Sequence, residues 1–185
     1  MTLSGLSGVD FSTVVAQSDV LYDAAHIEQT YQRLAADIDQ RLGGRQPVVV
    51  PVLMGGMIPT AGILRHLRTV HALDAVQTSR YGHETTGGAL AWKIPPSDRL
   101  AGQTVVVIDD IFDQGKTLEA IIEALTGLAA DVMTVVLARK RHDRVVTACR
   151  PDFVGVEVPD RFVFGCGLDY HGGLRHLPDL HAIAG

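Results

Sequence analysis

The chain has 185 residues, and 16 Lys and Arg against 21 Asp and Glu give it a net charge of −5 at pH 7. A negative balance provides no general positive field for nucleic acid or an anionic membrane surface, so an anionic substrate would have to be held locally. With 46% hydrophobic residues and no apolar run near the roughly 20 residues that span a bilayer, the composition predicts one globular domain without a transmembrane helix.

The first half of the chain alternates helices and strands. Over Ala24–Leu42, apolar residues recur at steps of three and four, which predicts an amphipathic helix with Asp23 as its N-cap. Gly43 and Gly44 end this helix, and residues 48–50 begin a buried strand, which Pro51 is expected either to limit or to occupy at an unusual position. A helix over residues 58–67 and a strand over residues 75–79 are predicted to follow.

A long polar segment with several glycines, from about residue 80 to 96, separates the two halves of the chain. Such a long connection is typical of a lid or of disorder. The alternation then resumes with a strand over 104–108, a helix over 117–128, a strand over 132–138, and short strands at Phe153–Val158 and 161–165. This order predicts an α/β fold with a mainly parallel twisted sheet flanked by helices.

Unusual residues follow three of the predicted strands. Gly55 and Gly56 follow the first, Asp109, Asp110 and Asp113 follow another, and the run Arg139-Lys140-Arg141 follows a third. The carboxyl ends of parallel strands meet at one edge of a sheet, where ligands bind in open α/β folds. We therefore expect these three loops to converge on one site.

The segment 105–117 carries the strongest chemical signal. Gly115 opens a predicted helix whose N-terminal N–H groups attract anions, while the preceding acids suit hydroxyl groups or a cation. A ligand with both a phosphate and a polyol or metal, such as a sugar phosphate, would satisfy both halves. A nucleoside-triphosphatase P-loop is not indicated, because the glycine that it needs five positions before Gly115 is Asp110. One acid alone would suit a simple turn equally well.

These residues resemble the signature of the type I phosphoribosyltransferases, which bind phosphoribosyl pyrophosphate (PRPP). The stretches 151–155, 159–165 and 167–170, together with Arg175, are similar to the C-terminal part of the hypoxanthine-guanine phosphoribosyltransferases. The similarity spans about residues 48 to 177. It implies purine salvage, in which a 6-oxopurine (hypoxanthine, guanine or both) and PRPP give IMP or GMP and pyrophosphate, with Mg²⁺ as cofactor.

The resemblance also implies the type I phosphoribosyltransferase fold in a single domain over residues 1–185. Its core would cover about 24–140, and a small hood would be formed by the terminal segments, about 1–20 and 145–185. A flexible lid would cover about 80–96 and include Arg80 and Tyr81.

Carried over by position, the resemblance assigns a role to each motif. Asp113 would be the catalytic proton-transfer residue near purine N7, and Asp109 and Asp110 would hold the ribose hydroxyls directly or through the metal. The other contacts would be Gln114, Gly115, Lys116 and Thr117 for the 5′-phosphate, Leu53, Met54, Gly55 and Arg175 for pyrophosphate, Lys140, Phe162 and Val163 for the purine, and Asp169 for a second magnesium ion.

Two alternatives to this function stay open at the level of sequence. One is a xanthine-preferring relative. The other is a regulator that keeps the fold and binds nucleic acid, for which Arg139-Lys140-Arg141-His142 and Arg144 would supply a basic cluster. The net negative charge disfavours the regulator. In the enzyme, only Lys140 of this cluster is expected to point at the base, and the others are expected at the surface or at an interface.

Location and assembly complete the expectations. The N-terminal segment lacks the basic and apolar regions of a secretion signal, which favours a cytoplasmic protein. Cys149 and Cys166 are then expected to remain free thiols. The resemblance implies a homo-oligomer, either a dimer or a tetramer, while the net charge and the lack of a long apolar run predict no membrane partner.

Overall fold

A seven-stranded sheet forms the centre of the structure, a computed structural model that describes residues 8–80 and 90–184. In chain order the helices and strands are α1 (Phe11–Ala16), β1 (Ser18–Tyr22), α2 (Ala24–Leu42), β2 (Val48–Leu53), α3 (Met57–Leu64), β3 (Ala72–Leu73), β4 (Val76–Arg80), β5 (Leu90–Ile94), β6 (Thr104–Phe112), α4 (Lys116–Leu125), β7 (Asp131–Lys140), β8 (Phe153–Val158), β9 (Val163–Phe164) and β10 (Leu180–Ile183), with a short 3₁₀ helix at Asp98–Leu100. The strand order of the sheet is β5-β4-β2-β6-β7-β8, with β3 also paired to β2. Every pair is parallel except β4 with β5, which confirms the predicted α/β class.

Helices cover both faces of this sheet. The central strand β6 alternates its side chains, so that Val106 and Ile108 join the core under α2 and α3, while Val105 and Val107 join the core under α4. All four side chains are at most 1% exposed. A strand buried on both faces needs a continuous run of β-branched residues, and this explains the apolar sequence that precedes the acids.

Helix α2 matches its prediction at both ends. The Asp23 side chain accepts a hydrogen bond of 2.8 Å from the His26 backbone N–H, as an N-cap does. Gly43 ends the helix in the left-handed conformation, with φ of 57°.

Pro51 does not limit β2, since the strand continues through it to Leu53, and the second alternative, an unusual position within the strand, is the one observed. On one edge β2 pairs with β3 at Val48 and Val49, and with β4 at Val52 and Leu53. Pro51 lies between these two sets of pairs, where a residue without an N–H group interrupts neither of them.

Two other boundaries also differ from the prediction. Phe153–Val158 is β8 and pairs in parallel with β7, so it belongs to the main sheet and not to a hood. Residues 90–94 form β5 instead of an irregular lid, because they pair with β4 as an antiparallel edge strand. The centre of the expected lid, 81–89, lies outside the described residues.

A second, antiparallel sheet combines segments from both ends of the chain. Its strand order is β1-β10-β9, and Ser18 pairs with Ile183 at its edge. We call these three strands the hood. Strands β1 and β10 were not predicted, since they are short and their pairing partners lie far away in the sequence. Among the described residues, no helix combines the length and the apolarity needed to cross a bilayer.

Candidate active site

A cavity of about 340 Å³ opens where β2 and β6 end. Most of the residues predicted for the site line it, namely Leu53, Met54 and Gly55 after β2, Asp109, Asp110, Asp113, Gln114, Gly115, Lys116 and Thr117 at the end of β6 and the start of α4, and Asp169 and Arg175 between β9 and β10. The convergence expected at the carboxyl edge of the sheet is thus present for two of the three loops.

The paired acids lie within β6 and not beyond it, because the strand extends to Phe112. Asp109 is only 8% exposed and accepts a 2.8 Å hydrogen bond from the Asp110 backbone N–H. Burial, and then the charge of Asp110, raises the pKa of Asp109 well above its ordinary value. Burial likewise raises the pKa of Asp110. Two carboxylates side by side, that of Asp109 buried and that of Asp110 partly buried, form a site with an excess of negative charge.

The N-terminus of α4 faces the same cavity. Gly115 precedes this ten-residue helix with φ of 88°, and as a glycine it offers no side chain to cap the helix. The first N–H groups of an α-helix have no partner within the helix, and the helix dipole adds positive potential. An anion that enters the cavity between Gly115 and Thr117 therefore meets free donors.

The loop after β2 lies directly against the acids. A Cβ atom at Gly55 would lie 1.8 Å from Asp110 Oδ2, and one at Gly56 would lie 2.3 Å from the Ile108 carbonyl oxygen. From the other side, a Cβ at Gly167 would lie 2.3 Å from the Gly55 carbonyl oxygen. Gly56 and Gly167 thus allow this loop to touch β6 on one side and the segment after the hood strand β9 on the other through their main chains, while Gly55 leaves room for the Asp110 carboxylate.

Arg175 links the two groups of acids. Its Nη2 donates to Asp169 Oδ1 at 2.6 Å, its Nη1 donates to the Gly167 carbonyl oxygen at 2.5 Å, and Nη1 also lies 3.8 Å from Asp110 Oδ2. The guanidinium group is thus held at the rim of the cavity beside the Gly55 loop.

Asp113 has two basic neighbours that come from the end of β7. His142 Nε2 lies 2.6 Å from Asp113 Oδ1, and Lys140 Nζ lies 3.6 Å from Asp113 Oδ2. The expectation that His142 is a surface or interface residue is therefore wrong. The side chain is only 5% exposed, because β6 and β7 are adjacent and their ends bring the two loops together.

The three residues predicted for the purine do not line the cavity of the acids. Val163 is buried in the hood strand β9. Phe162 is 53% exposed and makes an edge-to-face contact with Tyr170 at a centroid distance of 5.5 Å. Lys140 reaches the region only through Asp113. Of the two predicted lid residues, Arg80 ends β4 and Tyr81 lies outside the described residues.

Sequence reasoning missed Thr78 and Phe112, which also line the cavity. Thr78 lies in β4, the neighbour of β2, and a strand position without a motif gave no signal. The contact of His142 with Asp113 was detectable in principle, since His142 follows the strand beside β6. Among residues 8–80 and 90–184, no group of three or more His, Cys, Asp or Glu side chains is placed to hold a metal ion unaided.

We expect the buried acids to destabilise the fold at neutral pH. A carboxyl group whose pKa is raised by folding is more easily protonated in the folded state than in the unfolded state. It therefore supports folding at low pH and increasingly lowers the free energy of unfolding as the pH rises. Asp109→Asn removes one of the two charges but keeps an oxygen that accepts from the Asp110 N–H. The variant should have a higher Tm than the wild type at about pH 7.5 in EDTA, with a smaller gain at about pH 5.

Asp39 provides a control of opposite sign. Burial raises its pKa, but hydrogen bonds from the Thr69 side chain and from the backbone N–H groups of Arg68 and Thr69 outweigh that effect and lower it. Asp39→Asn should therefore lower the Tm at neutral pH. Thermal denaturation of both variants checks the sign, and an Asp109→Asn protein that melts below the wild type at neutral pH would contradict the electrostatic explanation.

The family model, the related sequences and the similar structures all point to the same protein family. The family described as the phosphoribosyl transferase domain matches residues 17–171. A hypoxanthine-guanine phosphoribosyltransferase of Bacillus subtilis (strain 168) is 30% identical over 89% of this chain and 92% of its own length. A crystal structure of a hypoxanthine-guanine phosphoribosyltransferase from Bacillus anthracis superposes with a TM-score of 0.84 at 26% identity, covering 90% of this chain and 98% of that one. A hypoxanthine phosphoribosyltransferase variant from Trypanosoma cruzi, complexed with the product IMP, superposes with a TM-score of 0.82 at 27% identity over 91% of both chains.

Proposed function

This chain belongs to the phosphoribosyltransferase family, and on that basis we propose that it transfers the 5-phosphoribosyl group of PRPP to hypoxanthine or guanine. The products are IMP or GMP and pyrophosphate, and the process is purine salvage. The observation that carries the proposal is the single cavity in which the buried acids Asp109 and Asp110, the uncapped start of α4 and Arg175 meet. The carboxylates suit the ribose hydroxyls. The start of α4, with its free N–H groups, and the guanidinium group of Arg175 suit the 5′-phosphate and the pyrophosphate of PRPP.

The 5′-phosphate binds at the start of α4 in this proposal. Backbone N–H groups from Gln114 to Thr117 donate to the phosphate oxygens, and the Thr117 hydroxyl adds a further donor. Gln114 offers an amide in place of a hydroxyl. The absence of a side-chain cap at Gly115 supports this assignment, since within residues 8–80 and 90–184 no side chain takes up these donors as a helix cap.

Pyrophosphate binds at the loop Leu53-Met54-Gly55 beside Arg175. Met54 is 46% exposed, so its contribution is its main chain. The guanidinium group of Arg175 is already oriented by Asp169 and by the Gly167 carbonyl oxygen. Arginine suits this position because its fixed fork of donors matches the oxygens of a phosphate.

Mg²⁺ fits the buried acids as a cofactor that arrives with its substrate. Magnesium is commonly held by one or two carboxylates together with substrate phosphates, and not by a complete cage of protein ligands. The raised pKa values of Asp109 and Asp110 and the excess of negative charge favour a cation or hydroxyl donors there. Asp169 is the candidate for a second ion. When bound, Mg²⁺ neutralises part of the charge on the leaving pyrophosphate.

The purine lies next to Asp113 in this proposal, between Lys140 and Phe162. Lys140 donates to the exocyclic oxygen of the base, and Phe162 stacks on the ring. Half of the Phe162 side chain is exposed, which leaves an aromatic face for a ligand. Its own carbonyl oxygen accepts from the Ile183 backbone N–H at 2.9 Å, so Val163 is the residue left to read the edge of the base through its main chain.

The chemistry follows from this arrangement. Purine N9 forms a bond to ribose C1 while the bond from C1 to pyrophosphate breaks, and the electron pair of that bond leaves with pyrophosphate. Positive charge that develops on the sugar is stabilised by Asp109 and Asp110, and negative charge on the leaving group is stabilised by Arg175. The proton on purine N7 passes to the carboxylate of Asp113.

An assay of four bases tests the function. The purified protein is mixed with Mg²⁺, PRPP and hypoxanthine, guanine, xanthine or adenine, and nucleotide and pyrophosphate are measured together. We expect equal amounts of both products with hypoxanthine or guanine. No nucleotide from any oxopurine would contradict the enzyme, and product from xanthine in preference to the other two would favour the xanthine-preferring alternative.

The regulator alternative finds no support in the basic cluster. Arg139 contacts Glu157, Arg144 contacts Asp160, and Lys140 contacts Asp113. In the part of the chain that the structure describes, three of the four Arg and Lys side chains of the cluster are thus paired with acids, which argues against one continuous positive face.

Assembly as a dimer or tetramer and action in the cytoplasm complete the proposal. Family membership supports both. Light scattering of the purified protein would measure the oligomeric state, and a monomer at micromolar concentration would contradict it.

A further inference from the structure

We infer that His142 is a positioning residue for Asp113, which fixes one carboxylate oxygen so that the other one is presented to the purine. The inference rests on the proposed function, because it assigns a task to Asp113. His142 lies two residues after Lys140, the last residue of β7. The loop that carries His142 is not among the segments proposed to contact PRPP or the purine.

The hydrogen bond has a defined direction. The Arg144 backbone N–H donates to His142 Nδ1 at 3.0 Å, so that nitrogen accepts and carries no proton. The proton of the neutral ring is then on Nε2, which lies 2.6 Å from Asp113 Oδ1. The main chain of the loop thus selects the tautomer that donates to Asp113.

The donor is more rigidly held than its acceptor. The side chain of His142 is 5% exposed, whereas that of Asp113 is 40% exposed. The loop that carries His142 also contacts the neighbours of Asp113, since the Val146 N–H donates to the Gln114 carbonyl oxygen at 3.2 Å. An exposed carboxylate on a short loop would otherwise rotate freely, and the buried imidazole removes that freedom.

The geometry divides the two oxygens of Asp113 between two tasks. Oδ1 is occupied by His142, while Oδ2 lies 3.6 Å from Lys140 Nζ. Lys140 is the residue proposed for the exocyclic oxygen of the base. Oδ2 is therefore the atom that faces the purine, and it is the atom that receives the N7 proton.

Two substitutions at His142 separate the donor from the bulk of the ring. His142→Phe keeps a planar ring but removes the donor, and it should lower kcat by about 10- to 100-fold through misplacement of the reacting oxygen. Its KM for PRPP should stay within about twofold of wild type, because the residues proposed for PRPP are unchanged. His142→Gln places an amide N–H near the position of Nε2 and should restore most of the lost turnover. Asp143→Asn, a substitution of the exposed neighbour, is the matched control and should behave as wild type.

A double-mutant cycle tests whether His142 acts through Asp113. In the Asp113→Asn background, His142→Phe should cause little further loss of kcat, since the group that it positions no longer accepts the proton. Losses that multiply would overturn the inference. A His142→Phe protein with wild-type kcat would also overturn it. The same holds if the KM for PRPP rises as much as kcat falls and the Tm drops, because that combination indicates a purely structural role.

A measurement without substrate completes the test. Nitrogen-15 NMR of the imidazole ring in the free protein should show His142 protonated on Nε2 and unprotonated on Nδ1. A proton on Nδ1 would overturn the assigned direction. Failure of the unmodified protein to form nucleotide overturns the proposed function itself, whereas an active wild type with an unimpaired His142→Phe variant overturns only the role of His142.

Discussion

Asp113→Asn is expected to lower kcat by about 100- to 10,000-fold, the range for loss of a general acid-base group. Asparagine has nearly the same shape and keeps an oxygen that can accept from His142 Nε2, so the position of the side chain should be conserved. It cannot take a proton from the purine. Steady-state kinetics with hypoxanthine or guanine should therefore show a large loss of turnover with KM for PRPP within about twofold of wild type.

The comparison of the two kinetic constants makes this result specific. PRPP is proposed to contact Asp109, Asp110, Arg175 and the start of α4, and not Asp113. If the affinity for PRPP, measured by calorimetry, fell as much as kcat, Asp113 would belong to the PRPP site and its role at the base would be wrong. Asp143→Asn supplies a carboxylate-to-amide control on the adjacent loop.

Gly55→Ala is expected to lower kcat/KM for PRPP by about 10- to 100-fold, the equivalent of a lost hydrogen bond to a charged group. The new methyl group would lie 1.8 Å from Asp110 Oδ2, so the carboxylate must rotate away from its place in the cavity. The backbone of the loop would not need to unfold. The loss should therefore appear in activity at low PRPP concentration, with a smaller change in Tm.

Asp110→Ala provides the partner for a test of this mechanism. Once the carboxylate is gone, the methyl group at Gly55 has no clash with it, and the double variant should be no less active than Asp110→Ala alone. A double variant far below Asp110→Ala would show that Gly55 acts on the backbone and not through Asp110. Gly102→Ala, at a remote turn with φ of 67° and open space around it, controls for the general strain of replacing a glycine.

Local signals allowed much of the fold to be predicted. Helix α2 was predicted at both of its ends, because Asp23 and Gly43 are residue types that cap helices by themselves. The parallel strands were found for a similar reason, since their burial on both faces requires runs such as Val105–Ile108. The two alternatives for Pro51 could not be separated from the residue alone, because the tolerance of that position depends on where β3 ends and β4 begins.

The parts of the fold that were not predicted depend on pairing between strands that are far apart in the sequence. Strands β1 and β10 have few residues and no strong alternation, and they exist because Ser18 pairs with Ile183 across the length of the chain. The assignment of 153–158 to a hood failed in the same way, since only the contact with β7 shows that this strand extends the main sheet.

The same distinction between local signals and distant contacts applies to the residues of the candidate site. The acids and Gly115 were predicted because they follow one another in one short segment of the sequence, and their place in the cavity follows from β6 and α4, which this segment joins. The contact of His142 with Asp113 joins two loops and was missed. Sequence alone also could not show that the Asp110 carboxylate occupies the space where a side chain at Gly55 would lie.

The approach of Gly167 to the Gly55 carbonyl oxygen has a consequence for affinity. The segment that begins after β9 carries Asp169 and Arg175 and lies directly beyond Phe162, while Gly55 lies in the loop proposed for pyrophosphate. Two subsites that meet through packed main chain cannot adjust independently. We expect the binding of PRPP and of the base to be cooperative, and by thermodynamic reciprocity each ligand must change the dissociation constant of the other by the same factor.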